Sequence, residues 1–157
     1  MTDPVLPDVQ FEHAITRRIY EHRAPANPSC CNACATLLEA LRVHALPREL
    51  MELFDAAGID PAKPAEVWGA PDQGFLAAWW VFVGTAGSAS ALAVQEPSPG
   101  LTWWITSEIS MRPEPEFGKS PLLQLELSWL DPALRTLERA VWPLAQVRAD
   151  GLRAHGA

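Results

Sequence analysis

The chain has 157 residues, 48% hydrophobic and 20% charged, a balance that suits a packed core and excludes a disordered segment. The length fits one domain spanning 1–157 better than two. The net charge of −7 repels phosphate, so nucleic acid and anionic membranes are not expected partners, whereas a protein with a basic surface is.

Residues 9–22, VQFEHAITRRIYEH, bring Phe11, Ala14, Ile15, Arg18 and Ile19 near helical spacing. A short helix is expected there, with a strand over 16–22 as the competitor. The prolines of RAPANP then break regular structure. Ser29 suits a helix N-cap. The helix expected from Cys31 to His44 carries Cys34, Leu37, Leu38, Leu41 and Ala45 as its apolar stripe. LPRELMELFDAAGID predicts a second helix, with Leu50, Leu53, Phe54 and Ala57 inward and Gly58 as its C-terminal cap. DPAKPAEVWGAPDQG, with three prolines and two glycines, reads as a stiff connection.

The second half changes period. FLAAWWVFV, residues 75–83, is apolar on both faces, as in a covered central strand. ALAVQE is a candidate short strand. LTWWITSEISM places Leu101, Trp103, Ile105, Ile109 and Met111 on one face. LLQLELSW alternates Leu123, Leu125, Leu127 and Trp129 inward with Gln124, Glu126 and Ser128 outward. Asp131 caps a last helix that has Pro132 at its first position. Its stripe is Leu134, Leu137, Val141 and Trp142, and Pro143 interrupts it. Helices, then strands, then a helix predict an α+β fold: N-terminal helices, an antiparallel sheet of about three to four strands and a C-terminal helix. No G-x-G-x-x-G supports a parallel dinucleotide fold, and no organic cofactor is expected.

Residues 1–10 have neither a basic start nor an apolar run, and no stretch reaches ~20 apolar residues. No export signal or membrane span is therefore expected. With an odd cysteine count, this predicts a reducing, cytoplasmic setting.

All three cysteines lie in PSCCNACATLLEAL, residues 28–41. Cys31 and Cys34 form C-x-x-C at the first turn of the expected helix. Free N–H groups and the helix dipole favour thiolates there. Such a pair is half of a zinc site, and soft thiolates also suit Cu(I). Cys30 and His22 are the candidates to complete the set, with His13 as a further donor, so the expected metal ligands are Cys30, Cys31, Cys34 and His22, and the expected metal is zinc. Dithiol redox chemistry is the alternative, although no βαβ frame surrounds the motif. The plain alternative is a pair of small core residues.

CNACATLLEAL resembles the metal-binding helix start of heavy-metal-associated copper chaperone domains over residues 31–41. It lacks the Met-x before the first cysteine and the surrounding βαββαβ pattern, so the likeness is local. A wider pattern is similar to an uncharacterised family of small bacterial proteins: Cys31 and Cys34, Phe54 with GIDPAKPAEVW, WWVFVG, and LLQLELSW. That resemblance implies a stable domain and no particular activity.

Other chemistry is sparse. Histidines 13, 22, 44 and 155 are scattered, and neither H-E-x-x-H nor G-x-S-x-G occurs. Whether the chain is an enzyme stays open. Glu66 leads an aromatic into the fold. Glu108 and Glu126 are candidate neighbours on one sheet face, and EPEFGK is a candidate partner-contact loop with an exposed aromatic. Five of the seven tryptophans (79, 80, 103, 104 and 129) fall in or beside expected strands. They read as a Trp-rich core, or in part as a partner surface. An acidic protein-binding module, comparable to toxin-neutralising immunity proteins, is the non-chemical alternative.

Overall fold

The apolar run at 75–83 becomes the spine of the sheet. The computed structural model describes residues 8–87, 95–110 and 115–142. In chain order these form β1 (Val9–Phe11), α1 (His13–Glu21), α2 (Asn32–Arg42), α3 (Arg48–Ala57), β2 (Glu66–Ala70), β3 (Phe75–Ala86), β4 (Gln95–Ser98), β5 (Leu101–Thr106) and β6 (Leu122–Leu130). A last helix, α4, covers 133–142. The fold is α+β with an antiparallel sheet, as the order of periodicities predicts. The sheet runs β1-β3-β6-β5-β4, with β2 also on β3. Its six strands exceed the three to four expected because β1 and β2 are short. Neither has a pattern of its own, and both exist by pairing with β3.

Side-chain alternation along β3 and β6 makes two faces. On one, Leu76, Trp80 and Phe82 meet Leu123, Leu125, Leu127 and Trp129, and this layer packs on Leu37 of α2, Leu50, Leu53 and Phe54 of α3, and Leu134 of α4. On the other, Val81 and Val83 are covered by Ile19 of α1 and by Phe117. The two WW doublets are split by the same alternation: Trp80 and Trp103 are buried, Trp79 and Trp104 half-buried. The Trp80 indole N–H donates to Pro61 O at 3.1 Å. Among the described residues, the buried Nε1 atoms of Trp79 and Trp103 have no such acceptor.

One edge of β3 is closed in an unusual way. β2 pairs with Phe75–Trp79 and β1 with Gly84–Ala86, which leaves a gap between them. Unmet backbone groups there would be costly. Helix α1 fills the gap: Val83 N–H donates to Thr16 Oγ1 at 3.0 Å, Glu12 N–H donates to Val83 O at 3.0 Å, and the Tyr20 hydroxyl donates to Val81 O at 2.9 Å. Thr16 and Tyr20 are buried for this reason.

Several local expectations change. The stretch at 9–22 splits into β1 and α1, so helix and strand both occur. The cap of α2 is Cys31, not Ser29; the Ser29 N–H instead turns onto Asn27 Oδ1 at 2.9 Å. Gln124 is not outward but fully buried: its amide N–H donates to Ser110 Oγ at 2.8 Å and to Glu126 Oε1 at 2.7 Å. β5 stops at Thr106, so Ile109 is not in the strand, and Met111 lies outside the described residues. Phe117 is buried rather than exposed on its loop. The expected caps at Gly58 and Asp131 are present: Gly58 is left-handed at φ 77, and Ala133 N–H donates to Asp131 Oδ1 at 2.8 Å. His44 plays the Gly58 role for α2, left-handed at φ 56, with Ala45 N–H on Ala40 O at 2.8 Å and His44 N–H on Leu41 O at 3.3 Å. Its place in the chain is that of a helix stop.

Candidate functional site

Cys31 has extended backbone, φ −159 and ψ 162, and its Sγ accepts the Cys34 N–H at 3.3 Å. A sulfur thus does what a serine or aspartate oxygen usually does at a helix start. One helical turn returns Cys34 over Cys31, and the two Sγ atoms are hydrogen-bonded at 3.2 Å. Both thiols are free and half-buried. Cys31 packs against the main core, and α2 lies on β2 and the Pro71–Gln73 turn.

The electrostatics are uneven. Burial first, then the hydrogen bond and charge of Cys31 and the charge of Cys30, push the Cys34 thiol up to about 12. The Cys34 proton is therefore held at neutral pH, so the thiolate preference expected of the motif does not extend to Cys34. A raised folded-state pKa adds stability that is complete below the usual thiol value of 9.0 and is lost as pH rises toward about 12. The difference in stability between the protein and its Cys34→Ala variant should accordingly shrink from pH 9 upward. Alkylation followed by mass spectrometry at pH 8 should label exposed Cys30 well before Cys34. Equal rates at the two positions would contradict this picture.

The remaining residues of the expected metal set are placed separately. Cys30 is exposed in the turn ahead of α2, and His22 is the C-terminal cap of α1. Among the described residues no three His, Cys, Asp or Glu side chains are grouped to hold a metal ion. The structure brings together Cys31 and Cys34 and leaves Cys30 and His22 outside the pair. His13 opens α1. Glu108 lies past the end of β5, while Glu126 pairs with Trp104, so these carboxylates are not cross-strand neighbours. His155 is outside the described residues.

A cavity of about 300 Å³ lies elsewhere, between α1 and the end of α3. Arg17, Tyr20, Glu21, Asp55, Asp60 and Lys63 line it. Lys63 Nζ donates to Tyr20 O at 2.7 Å and stands 3.6 Å from Asp60 Oδ2, so its charge caps the end of α1. No local pattern marks this cavity, because its walls come from segments about 40 residues apart. No helix among the described residues is long and apolar enough to cross a membrane. Comparison with protein-family models, curated proteins and solved structures returned no match.

Proposed function

We propose that Cys31 and Cys34 form a dithiol that exchanges with disulfides. The observation that carries this reading is the 3.2 Å separation of the two sulfurs at the start of α2. A disulfide needs two sulfurs, whereas a structural zinc site needs four donors, and two thiols converge here. Cys34 holds its proton, so Cys31 is the sulfur that attacks first. Its thiolate forms a bond to one sulfur of a partner disulfide, the partner S–S bond breaks, and the departing sulfur takes up a proton. Cys34 then loses its proton and attacks the Cys31 sulfur, which releases the second partner thiol. Two electrons have moved from the dithiol to the partner, and a low-molecular-weight thiol resets the pair. The charge of −7 suits a partner with a basic surface, and a reducing cytoplasm suits the resting dithiol. The likeness to small bacterial proteins adds no activity.

A second reading, soft-metal binding, is supported by Cys30, close enough for its charge to act on Cys34. With His22 it would supply the thiolate-rich set that zinc prefers.

One redox titration tests both. The protein is equilibrated across thiol–disulfide buffers, alkylated and mapped by mass. A Cys31–Cys34 disulfide with a midpoint between roughly −270 and −120 mV, the span of known exchange catalysts, is the expected result, with Cys30 alkylated throughout. Absence of that disulfide overturns the dithiol reading. Near-stoichiometric zinc that protects Cys30, Cys31 and Cys34 from alkylation establishes the second reading instead.

A further inference from the structure

The sheet face turned away from α2 and α3 carries a row that the sequence scatters over 61 positions. Cross-strand register sets Glu66 of β2 opposite Trp79 of β3, Trp79 opposite Glu126 of β6, and Glu126 opposite Trp104 of β5. Carboxylate and indole thus alternate across four strands. The next row along holds Trp68, Ala77, Ser128 and Thr102. Trp68 is 49% exposed and packs edge-on against Phe75 at 5.1 Å, and Leu130 nearby is 60% exposed. α1 and Phe117 cover this face at Val81 and Val83, and at its other end the partly exposed apolar group of Trp68, Phe75 and Leu130 marks an interaction surface.

Charge narrows the partner. None of the six strands contains a lysine or arginine, so no cation within the sheet balances Glu66 and Glu126. Gln124 holds one oxygen of Glu126 at 2.7 Å, which fixes the carboxylate between the two indoles. An arginine guanidinium stacks on an indole face and forks to a carboxylate at once. We propose that this face binds an arginine-bearing segment of a partner protein, with guanidinium groups over Trp68, Trp79 and Trp104 and paired with Glu66 and Glu126. The proposal rests on the reading that the partner is basic and makes no use of the thiols.

The test is a titration of the full chain, isotopically labelled, with a nona-arginine peptide, read by the indole N–H signals in NMR. The signals of Trp68, Trp79 and Trp104 should shift together. Trp68→Ala and Glu66→Gln, both at exposed positions, should each weaken binding about 5-fold, the loss of one exposed cation–π or ion contact. Binding that leaves these signals and both variants unaffected overturns this face while the basic-partner reading stands. No binding at all overturns both.

Discussion

Replacing Trp80 by alanine is expected to cost about 3–5 kcal/mol, the usual loss for a large aromatic removed from a core. Trp80 is fully buried at the centre of β3 and meets the Phe54 ring edge-on at 4.7 Å. It shares the core with Leu50, Leu53 and Phe54 of α3. Its indole N–H also serves Pro61 O, in the turn that leads to β2. Truncation therefore leaves a cavity and takes a donor from that carbonyl. Trp80→Phe should cost clearly less, because it refills most of the space and loses only the hydrogen bond. Chemical denaturation of the two variants measures both terms. A loss below about 1 kcal/mol for the alanine variant would mean that the core is not organised around this residue.

Gly58→Ala is the second large effect, expected at about 2–3 kcal/mol or more. Gly58 is left-handed, which alone disfavours an L side chain. A Cβ here would also run into the backbone carbonyl of His13 and stand 3.1 Å from Arg17 N. These are backbone atoms of α1 and cannot swing aside. The clash would push α1 off the β3 edge that Thr16 and Tyr20 seal, so thermal unfolding should fall by roughly 5–10 °C for a chain of this size. Faster hydrogen exchange at Val83 N–H should accompany it. An unchanged Tm would show that α1 can move without loss.

The cysteine motif shows how far local sequence reaches. C-x-x-C spacing on a helix returns the second sulfur over the first within one turn, so the meeting of Cys31 and Cys34 was legible from residues 31–34 alone. What those residues did not reveal is that Cys31 itself is the cap and that burial holds the Cys34 proton. Burial is a matter of tertiary packing: α2 lies on β2 and the Pro71–Gln73 turn, about 35–40 positions away. The proposed placing of Cys30 and His22 beside the pair needed distances that no spacing encodes.

The sheet divides the same way. Period-two alternation in LLQLELSW and the length of FLAAWWVFV were enough to find β6 and β3 and to name Leu123, Leu125, Leu127 and Trp129 as core. The stripe of α3 and the caps at Gly58 and Asp131 were equally plain, because these signals are local. The stripes of α1 and α2 were not: Ala14, Ile15, Arg18 and Ala45 are exposed, while Thr16 and Tyr20 of α1 and Ala33, Thr36 and Ala40 of α2 are buried by partners far along the chain. Gln124 broke the alternation because a covering segment brought Ser110 to it. β1 and β2 had no pattern to read, since their hydrogen bonds come from β3. The alternating row of Glu66, Trp79, Glu126 and Trp104 depends on the register of four strands. Sequence by itself determined the inward residues of α3 and of β6 apart from Gln124; only the tertiary structure decided the buried faces of α1 and α2 and which outward residues became neighbours, because cross-strand register and edge closure are set by contacts between segments far apart in the chain.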